Sequence, residues 1–236
     1  MKFNKPNFWD YKKITFMGYL LLPLSLITNV INGFKKNKKR YSNVKTICIG
    51  NIYVGGTGKT PMAIEIKKIL DKEKIDTAFI KKKYFNQIDE QKILIENGKL
   101  FCEKERCDAI EKAIKEGFKV VILDDGLQDS KLKYDISFVC FNAETWIGNG
   151  LLLPAGPLRE SLKSLKKYDA VFLNGSSKKI EDIKKIILDY NPLIQIFSSE
   201  YTPTNLEKFN INSNYLVFSG IGNPKNFRKT LKDNNF

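Results

Sequence analysis

The stretch TICIGNIYVGGTGKTPMAIEIKKIL, residues 46–70, passes from an apolar strand through a glycine-rich turn into an amphipathic helix. A phosphate-binding loop requires this order, because the turn aims backbone N–H groups at an anion and the helix N-terminus adds partial positive charge. In the pattern G-x-x-x-x-G-K-[ST], Lys59 reaches the β and γ phosphates and Thr60 offers its hydroxyl to Mg²⁺. Tyr53 stands at the first glycine position of that pattern. The strand before the turn and the helix after it still favour phosphate binding over an accidental glycine-rich turn. The predicted phosphate-binding residues are Tyr53, Val54, Gly55, Gly56, Thr57, Gly58, Lys59 and Thr60.

An apolar run at residues 119–125, KVVILDD, ends in two carboxylates, Asp124 and Asp125. An Asp-Asp-Gly sequence also makes a favourable tight turn, and taken alone the residues favour that interpretation. The phosphate-binding loop upstream reverses the balance, because nucleotide-bound Mg²⁺ needs a carboxylate at the carboxyl end of a neighbouring strand. We therefore predict that Thr60, Asp124 and Asp125 face a magnesium ion.

The segment GNGLLLPAGPLRE, residues 148–160, is too rich in Gly and Pro for a helix or strand and too apolar for a plain solvent loop. Arg159 and Glu160 close this segment. A guanidinium there can fork onto phosphate, and Glu160 can assist a metal or orient a hydroxyl. A structural turn with an exposed ion pair explains the segment equally well, so by itself it specifies no reaction.

After residue 41, short β-branched runs alternate with Lys- and Glu-rich helical stretches, a pattern typical of a mainly parallel α/β sheet with crossover helices. We predict strands at residues 46–49, 77–80, 100–102, 120–123, 136–141, 170–173, 193–197 and 215–219. We predict helices at residues 59–71, 106–116 and 178–188, with a weaker helix near Asp89. Three parts are expected: an N-terminal segment at 1–40, a P-loop nucleotide-binding core at 41–165, and a smaller second α/β lobe at 166–236, incomplete in this chain.

Residues 14–34 carry no charge, are strongly apolar, and as a helix reach about 30 Å, roughly the thickness of a bilayer core. Pro23 and several Asn and Gly residues weaken a membrane span, while Trp9 and two nearby Tyr residues suit the headgroup zone. We therefore favour a helix or helix pair lying in the interface over one transmembrane helix, and both over an ordinary core helix. The basic cluster KKNKKR at residues 35–40 attracts anionic lipid and favours the cytoplasmic side.

The 40 Lys and Arg against 26 Asp and Glu give a formal charge of +14. This excess implies a phosphate-rich partner, which is nucleotide, nucleic acid or an anionic membrane surface, although a Lys-rich genome composition explains it equally well. Nucleic acid is the weakest of these, because the aromatic residues lie mostly in apolar runs and no base-stacking motif is present. Four Cys and no His indicate a reducing compartment, no disulfide framework and no zinc site, and no obligate protein partner is inferred.

Four motifs in series resemble the tetraacyldisaccharide 4′-kinase family over nearly the whole chain: YVGGTGKTP at 53–61, DDGLQ at 124–128, GNGLLLPAGPLRE at 148–160 and SGIGNP at 219–224. The resemblance implies transfer of the γ-phosphoryl group of ATP, with Mg²⁺, to the 4′-hydroxyl of the tetraacyldisaccharide 1-phosphate precursor of lipid A. It also implies a position at the cytoplasmic face of the bacterial inner membrane, and a P-loop core with a smaller second lobe.

The resemblance also implies roles for residues outside these motifs. Asp89 and Glu90 look like the family's Gly-Asp-Glu element, so Asp89 would help to deprotonate the sugar hydroxyl; a helix N-terminal acid is the alternative. Arg106 is similar to the Arg that precedes a helix in the family, and it would neutralise charge on the transferring phosphoryl group. The expected catalytic set is Asp89, Lys59, Arg106, Arg159 and Glu160.

The chain departs from the family pattern in three places. Lys81-Lys82-Lys83-Tyr84-Phe85 replaces Ser-Arg-Gly-Tyr-Gly, which puts three like charges where a flexible turn is usual. Asp129 stands where His commonly follows Asp-Asp-Gly-Leu-Gln. The family also continues past the position of Phe236 to an Asp-His-His segment whose His partners the catalytic Asp. We therefore expect the sequence to be a fragment of a longer chain, or else a shortened form whose activity is in question.

Two other functions stay open at this point: a different membrane-peripheral P-loop ATPase, or a nucleotide-binding chain without kinase activity. A guanine-specific Asn-Lys-x-Asp box is absent from the sequence, which argues against a GTPase. Fast ATP hydrolysis without a lipid acceptor would favour the ATPase, and ATP binding without phosphoryl transfer would favour the inactive chain.

Overall fold

A computed structural model describes residues 5–33, 38–84, 88–175, 179–200, 202–203, 205–220 and 224–236. Several predicted features extend beyond these ranges. They are the end of the apolar segment and the start of the basic cluster at 34–37, position 85 after the lysine run, the start of the helix predicted at 178, and the middle of the motif at 219–224.

Seven parallel strands form one sheet in the order β3-β2-β4-β1-β5-β6-β7. Their bounds are Lys45–Gly50 (β1), Thr77–Lys82 (β2), Leu100–Glu103 (β3), Val120–Asp124 (β4), Ile136–Asn142 (β5), Ala170–Asn174 (β6) and Gln195–Ser199 (β7). The predicted α/β class with a mainly parallel sheet is confirmed. β6 and β7 lie beyond residue 165 and extend the same sheet, while the division of the chain at that position stays a prediction.

Helices cover both faces of the sheet, because each strand alternates its side chains between two apolar clusters. The helices are Phe16–Gly33 (α1), Lys59–Lys72 (α2), Ile88–Glu96 (α3), Arg106–Lys115 (α4), Ile180–Tyr190 (α5) and Pro224–Asp233 (α6). One cluster joins Ile49, Phe79 and Ile122 to residues of α2 and α3. The other joins the alternate strand positions to α4, α5 and a short 3-10 helix at Leu162–Lys167. The resulting three layers leave the carboxyl ends of the strands open for a site.

The strand predicted at 215–219 is wrong. Residues 214–220 have no regular secondary structure, and Leu216 and Phe218 are almost fully exposed. An extended segment forms a strand only when a neighbouring strand pairs with its backbone N–H and C=O groups. None of the described strands pairs with residues 215–219. The apolar pattern that led to this prediction does not include the partner that a strand needs.

The N-terminal segment folds back onto the loop at residues 148–160. Trp9 is only 1% exposed and donates its indole N–H to the Pro154 carbonyl at 3.1 Å, so its predicted position among lipid headgroups is wrong. The Trp9 carbonyl accepts from the Asn149 amide at 2.9 Å. Gly148 has φ +60°, and a Cβ there would stand 2.2 Å from the same carbonyl, so this close approach requires glycine.

The long helix α1 packs on the same loop through one polar side chain. Ser25 donates to the Leu152 carbonyl at 2.9 Å and accepts from the Ala155 amide at 3.1 Å. Phe16, Leu20 and Leu24 on α1 are exposed. Within the ranges given above, no helix combines the length and apolarity that crossing a bilayer needs.

We expect Ser25→Ala to lower the free energy of unfolding by about 1–3 kcal/mol, because the buried Ala155 amide and Leu152 carbonyl lose their partner. Urea titration followed by tryptophan fluorescence measures this change. Thr28→Ala is the matched control on the same helix, since the half-buried Thr28 donates to the Leu24 carbonyl one turn earlier in an exposed hydrogen bond. A Ser25→Ala protein as stable as the parent would remove this contact as the anchor of α1.

Candidate active site

The phosphate-binding loop and the carboxylate strand lie side by side at the carboxyl edge of the sheet. β1 pairs with β4 so that Ile49 is in register with Asp124, and the loop follows β1 directly. The Thr60 hydroxyl, at the start of α2, donates to Asp124 Oδ2 at 3.1 Å. The predicted meeting of these two side chains is therefore present in the structure.

Backbone conformations available to glycine shape the loop. Gly55 has φ 146° and Gly58, the N-cap of α2, has φ 83°, both in the region that other residues rarely adopt. Asn51 is fully buried below the loop and donates its amide to the Gly55 carbonyl at 3.2 Å and to the Thr57 hydroxyl at 3.1 Å. A buried amide with two bonds across the loop holds the turn closed before any ligand binds.

The first two residues of the predicted phosphate-binding set make other contacts. The Val54 amide donates to the Pro157 carbonyl at 2.8 Å, so this N–H is already engaged by the loop at 148–160. The Tyr53 hydroxyl contacts Lys5 and lies 3.2 Å from Asp10, both in the N-terminal segment. Of the predicted set, these two residues are thus engaged by the loop at 148–160 and by the N-terminal segment.

Three cations surround the second carboxylate. Asp125 Oδ1 lies 3.9 Å from Lys59 Nζ and accepts from Arg159 Nη1 at 3.1 Å. Arg106, at the start of α4, donates to the Asp125 backbone carbonyl, and its other nitrogen lies 3.2 Å from Asp129. Asp129, which replaces the His usual in the resembling family, thus supplies a carboxylate for the buried guanidinium. Lys59 from α2, Arg106 from α4 and Arg159 from the loop at 148–160 therefore all reach Asp125.

The electrostatics of Asp125 follow from this cation cluster. Burial alone would raise the pKa of Asp125, but the charges of Lys59, Arg159 and Arg106 outweigh it and hold the pKa below its ordinary value. Asp125 also has φ 59°, a conformation that a short polar side chain tolerates better than most. The ionised carboxylate therefore stabilises the folded site at neutral pH.

Lys81 belongs to this site, although the sequence indicated only a run of like charges. It is the last but one residue of β2, which pairs with β4, and its ammonium donates to Asp124 Oδ2 at 2.6 Å and to Glu90 Oε2 at 2.7 Å. Burial lowers the pKa of Lys81, but the two carboxylates outweigh burial and the pKa lies above its ordinary value. The signal available in the sequence was a Lys near the carboxyl end of β2, because the carboxyl ends of parallel strands lie at the same edge of the sheet as Asp124 at the end of β4.

The two remaining predicted residues lie at the rim. Glu160 accepts from the Tyr168 hydroxyl at 2.9 Å and from the Gln128 amide at 3.2 Å, and Gln128 in turn accepts from Arg159 at 3.1 Å. Asp89 is exposed in the first turn of α3, beside the Glu90 that Lys81 holds. Asp89 is therefore adjacent in the sequence to a residue that contacts Lys81.

Asp124 has the features of a magnesium ligand. Its side chain is fully buried, and within the described part of the chain its Oδ1 has no hydrogen-bond partner. An unpaired buried carboxylate oxygen is costly unless a cation occupies it. No group of three acidic, His or Cys side chains that could enclose a metal occurs among the described residues. This fits Mg²⁺, which usually takes one or two carboxylates and completes its shell with phosphates and water.

A glycine-rich turn between a buried parallel strand and a helix, with Lys59 and Thr60 facing the carboxylates of the next strand, defines a P-loop nucleotide-binding protein. A family model described as LpxK, tetraacyldisaccharide-1-P 4′-kinase, matches residues 17–100 and 86–236. The chain belongs to the tetraacyldisaccharide 4′-kinase family.

Individual relatives agree with the family model. The chain is 56% identical over 236 residues to the tetraacyldisaccharide 4′-kinase of Pelagibacter ubique (strain HTCC1062), covering 99% of this chain and 75% of that protein. It is 32% identical over 253 residues to that of Rickettsia canadensis (strain McKiel), covering 99% and 75%. The solved structure of LpxK from Aquifex aeolicus in complex with ATP has a TM-score of 0.55 at 18% identity, and the match covers 87% of this chain and 86% of that one. This last likeness supports the fold.

Asp125→Asn is expected to flatten the dependence of stability on pH. Because the folded pKa of Asp125 is depressed, its stabilising contribution is present above the unfolded value of about 3.9 and is lost as pH falls through the folded pKa. The parent should therefore lose unfolding free energy more steeply than the variant below about pH 4, and be the more stable of the two at pH 7.

Urea unfolding at a series of pH values tests this expectation, with the exposed Asp189→Asn on α5 as the control for the loss of one negative charge. Parallel curves for the parent and Asp125→Asn would show that the cation cluster does not stabilise the fold.

Proposed function

We propose that the chain transfers the γ-phosphoryl group of ATP to the 4′-hydroxyl of the tetraacyldisaccharide 1-phosphate precursor of lipid A, which gives lipid IVA. The observation that carries this proposal is the convergence of Lys59, Arg106 and Arg159 beside the loop, in a chain that belongs to the 4′-kinase family. Three fixed positive charges on one side of a phosphate loop suit a transition state whose charge spreads over phosphoryl oxygens.

Each residue has a role that its position supports. The loop amides from Gly55 to Lys59 and the Lys59 ammonium bind the β and γ phosphates. Arg159 and Arg106 balance the negative charge that builds up during transfer. In this scheme Asp125 holds Lys59 and Arg159 in place until the phosphates arrive, and then shares them with the nucleotide.

The transfer step needs one base, which takes the proton of the acceptor hydroxyl. The acceptor 4′-oxygen attacks the γ-phosphorus while the bond from that phosphorus to the bridging oxygen breaks, which releases ADP, and Asp89 takes the hydroxyl proton. Mg²⁺, held by Thr60 and Asp124, would neutralise charge on the β and γ oxygens. Glu160, hydrogen-bonded to Tyr168 and Gln128, shapes the rim where the sugar enters.

We expect Lys59→Ala to lower phosphoryl transfer by on the order of a hundredfold or more, because no other side chain in the loop supplies a cation to the phosphates. Radiolabelled phosphate incorporation into the tetraacyldisaccharide measures it. Lys68→Ala on the exposed face of the same helix, where Lys68 pairs only with Glu65, is the matched control and should keep the parent rate.

Two outcomes would contradict the kinase proposal. Lys59→Ala at the parent rate would remove the loop from the reaction. ATP hydrolysis by the parent that is fast without lipid and unchanged when the lipid acceptor is added would indicate an ATPase instead.

We also propose that the exposed face of α1 lies on the anionic membrane surface on the cytoplasmic side of the inner membrane. Phe16, Leu20 and Leu24 are apolar and exposed, which is unfavourable in water and favourable at the boundary of headgroups and acyl chains. Of the basic cluster, Lys39 and Arg40 form ion pairs with Glu111 and Asp135 at 2.7 Å, so part of its charge fastens this segment to the core.

Replacing Phe16 and Leu20 together with Ser should weaken binding to phosphatidylglycerol vesicles by about tenfold or more, since each buried apolar side chain contributes about 1.5–3 kcal/mol. Sedimentation with vesicles measures the bound fraction. Leu193→Ser with Leu216→Ser removes two apolar side chains of even greater exposure elsewhere and should leave binding unchanged. Equal loss in both double variants would contradict α1 as the binding face.

A further inference from the structure

Lys81 is an unusual residue because its charged side chain is almost completely buried. It is 1% exposed and is the last but one residue of β2, where it follows Phe79 on the face of the sheet that α2 and α3 cover. Lysine is almost never buried in this way without carboxylate partners, because removing the ammonium from water is costly. The side chain therefore lies where its partners are, and those partners identify what it does.

The two partners of Lys81 belong to different elements. Asp124 ends β4 and is itself fully buried, while Glu90 lies in the first turn of α3 and keeps 47% of its side chain exposed. The ammonium donates to both, at 2.6 Å to Asp124 and 2.7 Å to Glu90. One cation thus joins the proposed magnesium carboxylate to the start of a helix.

Helix α3 has few apolar anchors, and besides Glu90 its first turn is held by Gln91, which donates to the Tyr84 carbonyl at 3.3 Å. It has nine residues, and Leu94 near its C-terminal end is the one that is buried, while Ile88, Ile93 and Ile95 are exposed. A helix held by a single apolar residue can pivot about it. The Lys81–Glu90 contact fixes the opposite end, which is the end that carries Asp89.

We propose that Lys81 is a positioning residue that fixes the first turn of α3, and with it Asp89, against the buried carboxylate Asp124. The inference rests on the proposed role of Asp89 as the group that takes the proton of the acceptor hydroxyl. Without the ammonium, Glu90 and Asp124 are two like charges at close range, and their repulsion moves the helix start away from the phosphates.

Three variants test the tie. Lys81→Met keeps the length of the side chain without its charge, Glu90→Gln keeps the shape of the helix partner, and the third variant combines both. Lys82→Met is the matched control, because Lys82 neighbours Lys81 on the same strand but pairs on the outside with Glu105 at 3.9 Å. Steady-state phosphorylation of the tetraacyldisaccharide gives kcat and KM, and hydrogen exchange of residues 88–96, read by mass spectrometry, reports the helix without requiring turnover.

We expect Lys81→Met and Glu90→Gln each to lower kcat by on the order of tenfold to a hundredfold, because a displaced base loses its geometry. KM for ATP should change by less than about threefold, since the loop and Lys59 are untouched. The double variant should be no worse than Lys81→Met, because both changes break one contact. Exchange of residues 88–96 should rise in all three and stay at the parent level in Lys82→Met.

Parent-like kcat and parent-like exchange in Lys81→Met and Glu90→Gln would overturn the proposal, as would defects that multiply in the double variant. If Lys81→Met fails to fold, Glu90→Gln decides, because its side chain is half exposed. Faster exchange with no phosphoryl transfer by the parent would support the tie while refuting the kinase function, which separates the two.

Discussion

A carboxylate with no access to water must be surrounded by donors or cations, and the partners of Asp124 come from two separate segments. Thr60, at the start of α2, and Lys81, near the end of β2, both donate to its Oδ2. Its Oδ1 has no hydrogen-bond partner among the described residues, which leaves that oxygen available to a metal ion. Because β4 lies between β1 and β2, this one side chain decides how the phosphate loop and α3 approach each other. The remaining site residues are arranged around that fixed point.

Local sequence patterns predicted most of the fold, because buried parallel strands appear as short apolar runs and crossover helices as amphipathic stretches between them. The loop, Asp124 and Asp125 were predicted for the same reason: each motif lies on a single strand–turn or strand–turn–helix segment. The contacts of Lys81 and Trp9 were not predicted, because both depend on partners that are distant in the sequence. Asp124 lies more than 40 positions from Lys81, and Pro154 lies more than 140 positions from Trp9. The run at 215–219 fails similarly, because a strand's partner is not part of its own sequence.

The loop at residues 148–160 is better understood as a scaffold than as a set of reacting groups. Its first half receives Trp9 and Ser25, and its second half receives the Val54 amide and directs Arg159 to Asp125. Its apolar character follows from these buried contacts, and its Gly and Pro residues allow the backbone to pass between two partners. Only Arg159, at its end, enters the cation cluster.

The contacts of Tyr53 with Lys5 and Asp10 carry a consequence for enzymology on shortened proteins. Deleting the first 40 residues would expose the surface that Trp9 covers and would remove the partners of the Tyr53 phenol, which borders the phosphate-binding loop. A slow shortened enzyme would then report a disturbed cradle as much as a lost attachment to lipid. Point changes on the outer side of the helix keep those two effects apart.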